Sequence, residues 1–225
     1  MIATAEKAAD YDLFFYGYDS RRSASSSAIE LVEFLRAVAE SPADKVTNPS
    51  LASGMPLRKP FSYEALVLCA HSLGAVVSRL ALLDAVDDDE SPCRWLAKLR
   101  LVLFAPAHSG ALIIELASLG LGGFPLVGSA LQALARARHI SLRDLEPRSN
   151  TLKELRKRTE KALAGEFGKC HRAWVAHARR DKIVLSDKFL SDRPAKLFKD
   201  ANHISICKPT QSFKQPLQFV LEVLP

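Results

Sequence analysis

The sequence lacks the features that mark several whole classes of protein. Its 225 residues include four cysteines, Cys69, Cys93, Cys170 and Cys207, and no two form a C-x-x-C pair. That excludes a sequence-legible disulfide framework or zinc spacing, and it favours a reducing compartment, so a cytoplasmic location is expected. The N-terminal stretch MIATAEKAADYD has no basic segment followed by an apolar one, so no secretory signal peptide is read there. No internal repeat recurs at a period of 20–50 residues. Base-reading and phosphate-cradling motifs are absent, and nucleic acid is not an expected partner. One uncharged run, residues 116–135, is long enough to span a bilayer. Gly120, Gly122, Gly123, Pro125 and Gly128 interrupt it. A lipid-exposed helix broken that often would leave backbone groups unsatisfied, so the run reads as a loop-and-helix cap over something apolar.

What is present is a globular composition. The chain is 48% hydrophobic and 25% charged, with a mean hydropathy of +0.02. At this length roughly 70–75% of the unfolded chain's surface can be buried, enough for one core in one domain covering residues 1–225. The net charge is +6. The excess is local: residues 136–182 hold 14 basic and 6 acidic residues. Such a stretch reads first as a solvated helix face. It also permits a peripheral contact with an anionic membrane surface.

Short apolar runs alternate with helix-period segments, the pattern of strands crossing over through helices into a parallel sheet. Residues 13–16 (LFFY) read as a first strand. Ala28, Leu31, Val32, Leu35, Val38 and Ala39 recur at helical spacing, predicting a helix over 27–40 capped by a serine at 25–27. Residues 41–60 read as a loop. Residues 65–70 (ALVLCA) form an uninterrupted apolar run, as in a strand covered on both faces. Gly74 onward turns helical, and Asp87, Asp88, Asp89 and Glu90 form an acidic turn. Residues 99–105 read as the next strand. Residues 107–165 interrupt the alternation and are expected to form a helical cap inserted above the sheet. Residues 172–178 resume strand character, 196–198 suggest a short last strand, and Phe213, Leu217, Val220 and Leu221 mark a closing helix.

The strongest chemical signal is Ala70-His71-Ser72-Leu73-Gly74, between the buried strand and a helix. It is a G-x-S-x-G pattern with alanine first. Small residues at 70 and 74 allow a sharp turn that holds Ser72 exposed between strand end and helix start. The Leu73 N–H, aided by the helix dipole, then faces any negative oxygen formed by attack at Ser72.

A serine hydroxyl needs a base within hydrogen-bond reach, and the base needs an orienting carboxylate. In this strand–turn–helix setting the order is serine, acid, histidine. His171, His177 and His203 lie well downstream. The first two fall in or beside a strand and precede most candidate acids. His203 follows a short strand in Asp200-Ala201-Asn202-His203, where a loop can hang it over the serine. Asp181 comes straight after the 172–178 strand, and a parallel sheet presents its functional groups at the carboxyl ends of strands. Asp187 and Asp192 are the alternatives. His71 fills the variable position of the turn, and His108 sits at the end of the neighbouring strand; both are candidates for lining or supporting the site.

Three segments carry a resemblance. Ala70 to Gly74, then Ala105-Pro106-Ala107-His108-Ser109-Gly110, then Asn202-His203-Ile204-Ser205-Ile206-Cys207-Lys208-Pro209 resemble the α/β-hydrolase superfamily. Within it the chain looks like the lipase-like serine esterases that include the phosphatidylinositol-glycan deacylase and serine-active-site-containing groups. The resemblance spans about residues 12–223. It implies a three-layer α/β fold, a mostly parallel sheet flanked by helices, with a helical cap insertion. It further implies Ser72 as nucleophile, Asp181 as acid, His203 as base and the Leu73 N–H as one oxyanion donor. No metal and no cofactor is implied. The expected substrate is a small-molecule or lipid ester, and the oligomeric state is left open.

The chain departs from that superfamily at its front. Members place a strand ending in His-Gly two βα units before the serine turn, and that loop supplies the second oxyanion N–H. Here one strand–helix unit precedes the turn, and Tyr16-Gly17-Tyr18 looks like the intervening strand. The N-terminal strands are therefore expected to be missing, supplied by a longer chain or by a partner. A missing donor would remove about 2.7–4 kcal/mol of transition-state stabilisation. Gly17 and Tyr18 are candidate substitutes. The absent strands would also leave a sheet edge open. A non-catalytic interaction module and a peripheral membrane lipase are the rival readings.

Overall fold

The computed structural model describes residues 11–19, 21–40, 62–88, 93–112, 144–184, 189 and 191–225. Four parallel strands form one sheet in the order β1-β2-β3-β4: Leu66–His71, Leu99–Phe104, Trp174–Ala178 and Lys196–Phe198. The helices are α1 (Ala24–Glu40), α2 (Leu73–Val86), α3 (Asn150–Ala162) and α4 (Gln215–Val223). Strand order follows chain order, so each crossover steps to the adjacent position, as βα units do. The chain thus has the expected parallel sheet flanked by helices.

β2 shows why the core sits where it does. Leu99, Val102 and Leu103 are each 5% exposed or less. Strand side chains alternate between faces. On one face Phe104 meets Phe219 of α4 edge to face, and Arg100 donates to the Val223 carbonyl. Leu99, Leu101 and Leu103 point to the opposite face. α1 and α3 both pack on α2. Each fully buried Leu or Val contributes roughly 1.5–3 kcal/mol relative to exposure.

Helix α1 starts earlier than the serine pattern suggests. Ser23 Oγ accepts from the Ser26 N–H, and Asp144 Oδ2 accepts from the Ala24 N–H at 2.9 Å. The cap is therefore Ser23, reinforced by a carboxylate 120 residues away in sequence that no local pattern reveals.

The front of the chain differs more. Residues 11–19 are extended and alternate between exposed and half-buried, yet they form no strand. Their inward side chains explain it. Tyr16 packs tilted against Phe34 and donates to the Ser27 carbonyl, Phe14 meets Phe34 and Tyr63, and Tyr63 donates to Asp12 at 2.6 Å. These long aromatic side chains reach α1 and the approach to β1. Ladder hydrogen bonds need backbones about 4.8 Å apart, and none joins this segment to β1 among the described residues. Among the described residues β1 accordingly lies at the sheet edge, and Cys69 at its centre is exposed rather than covered.

The proposed loop 41–60 and residues 113–143 of the expected cap lie outside the described residues. The rest of that span is helical in part: α3 runs along α2, with Leu152, Leu155 and Thr159 buried. No helix among the described residues is long and apolar enough to cross a membrane.

Candidate active site

The site is built on the carboxyl ends of three adjacent strands and the loop after a fourth. β1 ends at His71, and Ser72 turns the chain with φ 53° before α2 begins at Leu73. A non-glycine residue in that region is strained and is held by its surroundings. Here the Ser72 N–H donates to the Phe104 carbonyl at 3.1 Å, while its own carbonyl accepts from Ala75 and Ala107. The turn is thus bolted to the end of β2. Leu73, the first helical residue, has an N–H without an intrahelical acceptor.

The three sequence-selected side chains converge. His203 Nε2 lies 3.0 Å from Ser72 Oγ, and His203 Nδ1 lies 2.9 Å from Asp181 Oδ2. The carboxylate can only accept, so Nδ1 carries the proton and Nε2 is left to accept from the serine hydroxyl. Asp181 is positioned by its own turn: Oδ1 accepts from the Ile183 and Val184 N–H groups. Burial opposes its charge, but the bonds from His203 and these two amides outweigh it, and the carboxyl titrates below its ordinary value.

The loops that bring Asp181 and His203 together are tied main chain to main chain. Arg179 N–H donates to Phe198 and Arg180 N–H to Ala201. Asn202 then closes a tight turn, its side chain accepting from Ile204 and Ser205. Ile206, fully buried, anchors that turn in the core.

The remaining candidates separate. Asp192 does not approach His203: both its oxygens accept from Arg79 at 2.6 Å. Asp187 lies outside the described residues. His108 is buried with its ring 4.5 Å from that of Phe189. His71 Nε2 lies 2.7 Å from the main-chain carbonyl of His203. Tyr18 reaches the turn with its hydroxyl, 3.7 Å from where a Cβ on Gly74 would stand, and burial raises its pKa to about 12. Gly17 faces open space among the described residues, with no atom beyond its chain neighbours within 4 Å of where a Cβ would stand. Gly74 itself has room for a Cβ in ordinary contact, so crowding among the described residues does not require glycine there.

Sequence reasoning missed Arg79. It is fully buried in α2 and bonded to Asp192 and to the His171 carbonyl. The one basic residue within LGAVVSRLALLDAV was the available signal, because a cation on an apolar helix requires a carboxylate partner. Among the described residues no group of three or more His, Cys, Asp or Glu is arranged to hold a metal ion.

No protein-family model matches the chain, and no curated protein does. Solved structures do. A structure of phospholipase PlaB from Legionella pneumophila is 15% identical over 94% of this chain, with a TM-score of 0.55. The Bacillus licheniformis lipase BlEst2 in mature form is 14% identical over 97% of the chain, with a TM-score of 0.54. This chain spans 49% of the length of that PlaB structure, 33% of a second one, and 82% of the lipase. At such identities the likeness is one of fold: the chain carries, in part, the α/β-hydrolase fold.

Proposed function

We propose that the protein is a serine hydrolase that cleaves carboxylic esters through an acyl-enzyme on Ser72. The observation that carries this reading is the 3.0 Å contact between Ser72 Oγ and His203 Nε2, with Asp181 on the far side of the ring. Ser72 Oγ attacks the acyl carbon while His203 Nε2 takes its proton. The negative oxygen that forms faces the Leu73 N–H. The C–O bond of the ester then breaks, and His203 returns the proton to the departing alcohol. Water attacks the acyl-enzyme by the same route in reverse and releases the acid. Asp181 keeps the Nδ1–H tautomer and balances the imidazolium. The proposed chemistry draws on no metal or cofactor.

An acyl substrate, from a small molecule or a lipid, is supported by exposed apolar side chains beside the triad. Ile204 follows the base directly, and Leu112 is held to the acid loop by its N–H on the Ile183 carbonyl at 2.7 Å. Exposed Arg179, Arg180 and Lys182 flank Asp181 and favour a peripheral contact with anionic lipid. The lipase-like branch is supported by the three sequence segments, and a single domain with a cap insertion at 107–165 by the chain length and by the break in strand–helix alternation there. Four free cysteines support a reducing, cytoplasmic setting.

A fluorophosphonate probe is expected to label the wild-type chain and not Ser72→Ala, and p-nitrophenyl ester turnover should vanish in Ser72→Ala and His203→Ala. Equal labelling of both chains ends the proposal. A non-catalytic interaction module is the second reading, favoured by Leu13 and Phe15, 79% and 86% exposed on the segment that fails to join the sheet. Turnover lost in His203→Ala excludes it.

A further inference from the structure

We propose that His71, the residue before Ser72, is a positioning residue for His203 that acts as an uncharged hydrogen-bond donor to its main chain; this rests on the esterase reading above. The acceptor at 2.7 Å is a carbonyl oxygen, so His71 Nε2 must carry a hydrogen. The two rings lie 4.7 Å apart, centroid to centroid.

The two residues differ in how firmly the fold holds them. His71 ends β1, paired with Phe104, and the next residue is tied to β2. His203 sits in a turn, outside any strand. A donor from the strand to the carbonyl of the turn fixes the main chain of the base itself. Its Cα–Cβ bond is then aimed so that one ring nitrogen meets Asp181 and the other meets Ser72. Without the donor, the carbonyl of the buried His203 would lose this hydrogen bond, and the turn would be free to shift.

The donor also needs to be neutral. When His203 takes the serine proton it becomes a cation. A second cation one ring away would oppose that step. The groups facing His71 are His203, Asp181 and Lys208. Burial and then the His203 ring push its pKa down to about 4, against the pull of the bond to the His203 carbonyl and then of Asp181. Glutamine satisfies the same two requirements; lysine supplies a donor with the wrong charge.

The test uses the full chain with His71→Ala, His71→Phe, His71→Gln and His71→Lys. It reads p-nitrophenyl butyrate kinetics near pH 7.5 and fluorophosphonate labelling, with Ser72→Ala as blank and thermal unfolding as the folding control. Ala and Phe are expected to lower kcat on the order of 10- to 100-fold with KM little changed, since His71 positions the base and does not touch substrate. Gln should recover most of the loss, and Lys should not. If Ala fails to fold, Phe against Gln carries the comparison without opening a large cavity. An active wild type whose Phe variant matches it, a Gln variant no better than Phe, or a loss confined to KM overturns this proposal alone. A wild type neither labelled nor active overturns the esterase reading and this inference with it.

Discussion

Two aspartates in the stretch after β3 take opposite parts. The side chains of Asp181 and Asp192 are both buried, and each faces a nitrogen donor within 2.9 Å. Asp181 meets a histidine, whose charge can come and go, at a place where a serine hydroxyl completes the chain of hydrogen bonds. Asp192 meets Arg79, whose charge is permanent, with both side chains 0% exposed. It also accepts from the Ala173 and Phe189 amides, and Arg79 lies 4.5 Å from the Phe189 ring centre. Burial pushes the Arg79 pKa down, opposed by the Asp192 charge. One carboxylate is matched to a titrating partner and the other to a fixed one. That difference makes the first suited to proton chemistry and the second a clamp between α2 and the loop leading to β4.

The sharpest way to break this contrast is to neutralise each aspartate. Asp181→Asn is expected to lower kcat on the order of 10⁴-fold, because the amide favours the wrong imidazole tautomer. Its unfolding free energy should change far less than that of Asp192→Asn. Asp192→Asn should do the reverse: kcat of the folded fraction stays near wild type while stability falls. Steady-state kinetics beside urea unfolding decide it, and an inactive but fully stable Asp192→Asn would invert the assignment.

The clamp has its own test. Arg79→Met leaves a buried carboxylate unpaired and should cost about 3–5 kcal/mol. The double change Arg79→Met with Asp192→Leu should restore most of that, since apolar replacement of a buried pair is often neutral. A double variant as unstable as the sum of the singles would show that the pair stabilises the fold outright.

Acid should then separate the fixed pair from the titrating groups around it. His71 and His171 both have pKa values pushed down to about 4, mainly by burial. A histidine depressed in the folded state stays neutral while the unfolded chain takes up protons below its ordinary value near 6.5. Stability is therefore lost as pH falls from about 6.5 to 4, on the order of 3 kcal/mol for each histidine. Asp181 adds to the decline at lower pH, as its depressed carboxyl finally protonates. Urea midpoints across that window check the slope, and His171→Asn should flatten it.

Two glycines near the site give the smallest effects and differ in kind. Gly110 has φ +114°, and a Cβ there would stand 3.0 Å from Pro147, so Gly110→Ala should cost about 1–3 kcal/mol. Gly74 has neither constraint, and Gly74→Ala should leave stability within about 1 kcal/mol. Thermal unfolding of the two variants compares them directly.

Much of the fold was legible because its signals are local. The apolar runs of β1, β2 and β3, the periodicity of α1 and the strand–serine–helix turn all depend on neighbours in sequence. The elements misread were those settled by distant partners. Residues 13–16 have a strand's composition, but their aromatic side chains pack on Phe34 and Tyr63 instead of aligning the backbone with a strand. Ser23 caps α1 with help from Asp144. Arg79 hid in an apolar helix because its counter-charge lies 113 residues on.

By itself the sequence determined a parallel α/β layout and a serine on a tight turn between an apolar strand and a helix, since alternation, helical period and small turn residues act over a few bonds. Only the tertiary structure decided that Asp192 neutralises Arg79, and that His71 reaches the carbonyl of His203. Those are matters of a few ångströms between loops, set by how strand ends align across the sheet, and no spacing along the chain encodes them.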